Sequence, residues 1–422
     1  MAHEIAVCFL RVGTEILLVR GTYPDAGGNG LPAGRWGVLS AGVGEDPEAA
    51  ARRAVEAVVS DPSSVSLLEC GDPVVVAPNG DESRLRLRPF LFECATRDAV
   101  SDIDAEHEWC QPPRILDRET VSGLWDAYLE IAPSVEAVRE DEANGAAYIS
   151  VRALETLRDR ATAVAAEGGD YRDVEAIARA VARARPTMGV VENRINRVMA
   201  GTDETAESVR DRAMSACVDA IEADGAAAER AASLVGSRVL TLSRSGTVLE
   251  ALEAARPEIV FVAESRPGRE GITAAEALSA AGIDVAVLSD SAVGSVVASD
   301  VDTVLVGADS VLGDGRIVNK VGTYNAANAA AESRTECFVV CSRDKIVPRT
   351  GFDPELGPPE EICDGDGTLP VYNPTFEAVP AALVSGIATE DGVLSEAEIE
   401  DVAAEHAALA RWDKDRPSAE KS

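Results

Sequence analysis

Apolar and polar positions change their spacing twice along the chain. Short apolar runs at Ile5–Arg11 and Ile16–Val19 flank a Val-Gly-Thr turn, which predicts a β-hairpin. A glycine-rich loop, Gly27–Gly37, follows. Asp46 before Pro47 predicts a capped helix over Pro47–Val59. Val74–Ala77 and Leu85–Cys94 read as strands around an Asn79-Gly80 turn, and Trp109–Ala132 as a loop and then a helix. From Ser134 to about Leu234 apolar residues recur at helical spacing, as at Ile177, Val181 and Ala184. Breaks fall at Gly168-Gly169, Pro186 and Gly201. From Arg238 the pattern changes again. Continuous β-branched runs (Val239–Leu242, Ile259–Ala263, Val285–Leu288, Thr303–Val306, Phe338–Cys341) alternate with Ala-rich helices. That alternation predicts a buried parallel sheet, whose ligands sit beyond the carboxyl ends of the strands.

Composition narrows the function. The 422 residues suggest two or three domains. The formal net charge of −34 argues against nucleic acid and anionic membranes as partners, since both need a basic face. Of 39 basic residues only Lys320, Lys345, Lys414 and Lys421 are lysines. Acidic excess with few lysines looks like a protein of a salt-loving archaeon, because concentrated salt screens such self-repulsion. Eight scattered cysteines form no Cys-x-x-Cys pair and imply neither a disulfide framework nor a zinc site. The N-terminus opens directly into a strand and no span of 18 apolar residues occurs, so a soluble cytoplasmic protein is expected. The last dozen residues are expected to be disordered.

Five segments after predicted strands or helix breaks carry candidate chemistry. They are Arg185-Pro186-Thr187, Thr241–Thr247, Glu264–Pro267, the pair Gly307–Asp309 and Gly315–Thr323, and Ser342–Lys345. A Ser/Thr/Gly turn that opens a helix, as at Ser243, Ser245, Gly246 and Thr247, offers amide donors and a positive dipole to phosphate. Arg185, Arg244, Arg266, Lys320 and Lys345 add charge, and arginine offers a planar fork for phosphate. Each segment alone reads as a cap or a turn; five together at strand ends favour a ligand site.

The run from Gly34 through Gly42, Glu45, Arg53 and Glu56 resembles the Nudix box, a loop–helix–loop whose glutamates hold a divalent metal for nucleotide hydrolysis. The resemblance covers residues 1–132. Glu45 and Arg53 keep the family's spacing. The three metal glutamates fall on Ala54, Ala57 and Val58, and the closing glycine is missing. Glu56 is the one acid left there, at a variable position. Hard cations need several carboxylate oxygens, so hydrolysis with Mg²⁺ is not expected, and the chain is expected to hold no cofactor and no metal.

From Asn144 to Gly392 the segments above resemble the family that joins ribose-1,5-bisphosphate isomerase, methylthioribose-1-phosphate isomerase and the alpha, beta and delta subunits of translation initiation factor 2B. Asn373–Pro380 and Ile387–Gly392 belong to the same resemblance. It implies that Asp309 is a catalytic aspartate and that Asn319 and Lys320 contact substrate. It also implies phosphate contacts at Arg185, at the Ser245–Thr247 turn and at Lys345. Two positions depart. The isomerases' cysteine falls on Ser243, a far weaker acid, and an Arg-Gly-Ala reads Asn144-Gly145-Ala146.

The expected architecture is an α+β Nudix-like domain (1–132), a helical segment (133–235), an α/β Rossmann-like parallel-sheet domain (236–392) and a C-terminal helix and tail (393–422). The expected function is binding of a phosphorylated sugar or nucleotide, with a regulatory role and assembly into a homo-oligomer through the C-terminal part. The alternatives are an aldose–ketose isomerase working through Asp309 and Ser243, and a Nudix hydrolase.

Overall fold

A computed structural model describes residues 3–21, 34–76, 85–101, 103–363 and 369–413. The Asn79-Gly80 turn, most of the Gly27–Gly37 loop and most of the last dozen residues lie outside them. Contacts divide the chain into two units. One comprises residues 1–133 and 158–168; the other comprises 134–157 and 169–422. Arg158–Gly168, inside the segment expected to belong to the helical part, is thus counted with the first unit.

The first unit is a mixed sheet built on β1 (His3–Val12). β1 pairs antiparallel with β2 (Glu15–Arg20) and β4 (Leu39–Gly42), and parallel with β7 (Leu85–Cys94). β3 (Trp36–Gly37) extends β2, and β5 (Val65–Cys70) and β6 (Val74–Val76) pair with β7. β8 (His107–Cys110) adds to β2, where a loop was expected; alternating residues Glu108 and Cys110 gave no apolar run to mark it. The pleat sends successive side chains to opposite faces. Ala6, Cys8 and Leu10 pack with Ala51 and Val55 of α1 (Pro47–Glu56). Val7 and Phe9 pack with Trp125 and Tyr128 of α2 (Leu124–Leu129). α1 is capped by Asp46, as its sequence predicts, but ends three residues before Val59. At the base of this unit Arg158 is fully buried and bonds Asp159, Tyr128 and the carbonyl of Thr14.

The second unit begins with five helices: α3 (Val135–Glu140), α4 (Ala146–Ala166, shared in sequence with the first unit), α5 (Tyr171–Ala182), α6 (Gly189–Met199) and α7 (Ala206–Ala232). A seven-stranded sheet follows in the order β11-β10-β9-β12-β15-β18-β19. Its strands are β9 (Arg238–Leu242), β10 (Ile259–Ala263), β11 (Val285–Leu288), β12 (Thr303–Gly307), β15 (Glu336–Val340), β18 (Gly386–Thr389) and β19 (Gly392–Leu394). All neighbours pair parallel except β18 with β19. α8 (Gly246–Ala255) and α9 (Glu270–Ala280) pack on the face that carries Val239, Val260 and Val262. α10 (Val293–Asp300), α11 (Thr323–Ser333) and α12 (Glu396–Leu409) cover the face that carries Leu240, Leu242 and Val339.

A second, small sheet has no counterpart in the sequence reading. β13 (Ser310–Leu312), β14 (Ile317–Lys320), β16 (Ile346–Val347) and β17 (Phe376–Val379) pair in the order β16-β13-β14-β17. Its strands have two to four residues, too short for alternation to show. It gathers the segments around Asp309, Asn319-Lys320 and Lys345 at one end of the large sheet.

Candidate functional site

The site grows from the carboxyl ends of β9, β10, β12 and β15. Ser243, after β9, has φ 58°, and Ser265, after β10, has φ 61°. The left-handed region is unfavourable for non-glycine residues, and such strain persists where the surroundings over-determine it. They do so here. The Ser243 amide donates to Ser265 Oγ at 2.7 Å, and the amides of Ser265 and Arg266 donate to the two carboxylate oxygens of Asp290 at 2.8 and 2.7 Å. Two adjacent loops are thereby held in register.

Ser245 caps α8, accepting from the Val248 amide. Gly307, at the end of β12, leaves room for it: a Cβ there would lie 2.7 Å from Ser245 Oγ. Over the first turn of α8 the space is open, since a Cβ at Gly246 meets nothing within 4 Å. Thr247 is buried beneath that turn.

Asp309 follows β12, and its amide donates to Val318 of β14. The residue is half-buried, and burial pushes its carboxyl above the ordinary aspartate value. Lys345, Lys320 and Arg185 pull the other way, so all three cations lie within electrostatic reach of it. Asn319 is buried and donates to Thr323 Oγ1, which fixes the turn into α11. Glu377 accepts from the amides of Gly322 and Tyr324, so a carboxylate of the chain already fills the N-terminus of that helix.

The five cations differ in what holds them. Lys345 is buried and donates to the Ala308 carbonyl at 2.6 Å. Arg185 donates through Nη1 to the carbonyls of Arg139 and Asp141, and Arg244 through Nη1 to that of Ala143. A carbonyl orients a cation without cancelling its charge. No carboxylate pairs with these three among the described residues. Lys320 is different: it forms an ion pair with Glu270 at 2.7 Å and stacks over Phe376. Arg266 is exposed and pairs with Glu264. The arrangement therefore brings Arg185, Arg244 and Lys345 to the site as uncancelled charge and leaves Arg266 at the rim.

The loop of residues 141–145 lies against Arg244, just after β9. Asn144, at the position where the resemblance implied an arginine, donates from its amide and its side chain to Asp141. Arg185 and Arg244 brace the same loop. Lys345 is set from behind by a buried network that sequence reasoning missed. Arg194 bonds Ser150, Asp224, Ser342 and Asp344, and Arg197 and His406 meet the same Asp344 carboxylate. Burial pushes that carboxyl up, but His406, Arg194 and Arg197 outweigh it and hold it well below the usual range. The signal in sequence was an arginine on the inner stripe of α6, which is legible only once the helix is packed.

Two other regions fit a ligand or a metal poorly. A cavity of about 230 Å³ between α6, α7 and residues 343–344 holds three arginines, Arg194, Arg197 and Arg343. Each is paired with a carboxylate, which leaves no net charge for an anion. In the first unit Glu45, Arg53 and Glu56 are all exposed on and before α1. Among the described residues no group of three His, Cys, Asp or Glu side chains could hold a metal ion, so the donor set does not fit Mg²⁺. No helix among them is long and apolar enough to cross a membrane.

A largely parallel sheet with strained serines and cations at its carboxyl edge defines an α/β protein, and it makes the end of the central strands the candidate ligand site. The Initiation factor 2 subunit family matches residues 142–396, and the chain belongs to that family. It is 33% identical over 314 residues to the methylthioribose-1-phosphate isomerase of Gemmatimonas aurantiaca, covering 66% of this chain and 90% of that one. It is 30% identical over 285 residues to the ribose 1,5-bisphosphate isomerase of Archaeoglobus fulgidus, covering 63% and 90%. Among solved structures, the Pyrococcus horikoshii translation initiation factor eIF-2B matches with a TM-score of 0.54 at 24% identity, over 62% of this chain and 94% of that one. The 5-methylthioribose 1-phosphate isomerase from the same organism matches with a TM-score of 0.51 at 20% identity, over 72% and 90%. At these identities the two structures establish the fold alone. The matched family residues, 142–396, leave out the first 141.

Proposed function

We propose that the second unit binds a phosphorylated sugar at the carboxyl edge of its large sheet, as a recognition module. The observation that carries this is the set of three cations, Arg185, Arg244 and Lys345, each oriented by backbone carbonyls and in no ion pair with a carboxylate among the described residues. The relatives named as isomerases act on sugar phosphates by their names, which supports the same ligand class here. Ser243 weighs against fast proton transfer: its hydroxyl rarely ionises without an activating base. The test is a thermal shift in concentrated salt. Ribose 1,5-bisphosphate or ribose 5-phosphate at about a hundredfold its Kd should stabilise the chain by about 2.7 kcal/mol. Lys345→Met should remove most of that gain, and absence of any shift with either ligand refutes the reading.

A second reading, isomerisation of a phosphorylated ribose, rests on Asp309. Burial raises its carboxyl above the ordinary aspartate value, the direction that suits a group which both holds and releases a proton. Ribulose 1,5-bisphosphate should then form from ribose 1,5-bisphosphate and fail to form in Asp309→Asn.

For the first unit we propose a Nudix-type fold retained for recognition, since Glu45, Arg53 and Glu56 bring no carboxylate cluster. Incubation with Mg²⁺ or Mn²⁺ and a panel of nucleoside diphosphate derivatives should release no phosphate. The apolar side chains exposed around the small sheet, Tyr324, Leu356, Ile362, Leu369 and Tyr372, favour self-association through the C-terminal part. Light scattering in concentrated salt should give a mass above that of one chain.

A further inference from the structure

Hydrogen bonds tie together the carboxyl ends of three neighbouring parallel strands, β9, β10 and β11. Asp290 stands just after β11. Its carboxylate takes the Ser265 amide at Oδ1 and the Arg266 amide at Oδ2, at 2.8 and 2.7 Å, just after β10. Ser265 is buried, and its hydroxyl donates to the Ala263 carbonyl at 3.1 Å. The oxygen lone pairs are left for the Ser243 amide, which donates at 2.7 Å just after β9. Ser243 leads into Ser245 and Gly246, where α8 begins and the space is open. The amides of Gly246 and Thr247 have no acceptor among the described residues, since first-turn amides find none within their own helix.

The backbone records what these bonds impose. Among the described residues, five non-glycine residues have positive φ. Arg256 and Arg334 are left-handed caps at the C-terminal ends of α8 and α11, an ordinary place for that conformation. The other three, Ser243, Ser265 and Arg269, all lie in the two loops that the relay joins. Left-handed backbone outside glycine costs energy, persists where the surroundings impose it, and gathers at ligand sites. At the opposite end of β9 the same kind of contact imposes no such strain. Asp302 takes the amides of Ser237 and Arg238 at 3.0 and 3.1 Å, and neither residue has positive φ.

We propose that Asp290 and Ser265 are positioning residues that set the turn into α8 and the amides that open onto the ligand site. Neither touches the ligand; both act through the Ser243 backbone. This rests on the sugar-phosphate reading and adds what holds that site ready before the ligand arrives. The shape of the turn is imposed from β11, across β10.

The experiment is isothermal titration of the full chain with ribose 5-phosphate in concentrated salt, with a thermal melt of each variant. Ser265→Gly separates positioning from stability. Glycine adopts positive φ without strain, so the melting temperature should hold. Loss of the hydroxyl should raise the Kd about tenfold, the worth of one hydrogen bond. Asp290→Ala should raise the Kd by a similar factor. The double variant should bind no more weakly than the weaker single one, because both cut the same relay. Asp302→Ala is the control at the far end of β9: its melting temperature should fall while its affinity holds. If Asp290→Ala fails to fold, Ser265→Gly carries the test. The positioning role is overturned if Ser265→Gly binds as the wild type does, or if Asp302→Ala loses as much affinity as Asp290→Ala; the binding site then stands. If the wild-type chain does not bind ribose 5-phosphate, the sugar-phosphate reading and the role of both residues fall together.

Discussion

At the scale of single residues, the isomerase reading turns on Ser243 and Asp309. Ser243 sits on a strained turn with its amide committed to Ser265, where the isomerase resemblance implied a thiol. A thiol loses its proton far more readily than a hydroxyl. If the rest of the site is competent, Ser243→Cys should raise the rate of ribulose 1,5-bisphosphate formation by an order of magnitude or more in a coupled assay. No gain would locate the deficit elsewhere, at Asn144 for example. Asp309→Asn should leave ribose 5-phosphate affinity within about threefold, because its partners are cations at a distance and no side-chain bond to it is broken.

At the scale of elements, the contacts between strand ends and helix starts hold the geometry. Gly271 opens α9 against β10, and a Cβ there would lie 1.9 Å from the Ala263 carbonyl. Gly271→Ala should destabilise the chain by about 3 kcal/mol or more, because backbone must move. Gly246→Ala meets open space and should lie within about 1 kcal/mol of wild type. Chemical denaturation of the pair separates packing from backbone freedom. The Asp344 network is the other anchor. Asp344→Asn should cost about 1–3 kcal/mol, since it removes the carboxylate that Arg194, Arg197 and His406 share, while Arg194 keeps Asp224. The pH dependence follows from the direction of the shift. The folded-state value lies below the ordinary one, so the folded protein binds fewer protons than the unfolded chain at acid pH. Stability from Asp344 is complete above the ordinary aspartate value and is lost as pH falls below it. Thermal melts of the wild type should steepen in their acid decline relative to Asp344→Asn.

At the scale of the whole molecule, charge and buried thiols dominate. A net charge of −34 repels itself in dilute salt, so the melting temperature should rise steadily from 0.1 M to molar salt. Burial pushes the thiols of Cys8, Cys110, Cys337 and Cys341 from 9.0 up to about 12. The folded protein therefore holds protons that the unfolded chain releases above pH 9.0. Stability from these groups is intact below that pH and is lost as pH rises through the folded values. Melting temperature should drop on the alkaline side, and Cys337→Ala should flatten the drop.

By itself the sequence determined five of the seven strands of the large sheet, because buried strands with intervening helices leave long apolar runs and Ala-rich stretches; β18 and β19, the short antiparallel edge, left no such run. It also determined which serines, arginines and lysines stand near the strand ends. Only the tertiary structure decided which of those side chains meet. The small sheet of β13, β14, β16 and β17 has strands too short to leave a period, yet it joins Asp309 to Lys320 and Lys345. Ion pairing is likewise invisible in one dimension. Arg266 and Lys320 read as free cations beside Arg185, Arg244 and Lys345, but Glu264 and Glu270 neutralise the first two while carbonyls hold the other three. Glu264 lies two residues from Arg266, but the partner of Lys320 is fifty residues away and is set by which loops fold back on one another, of which local sequence carries no record.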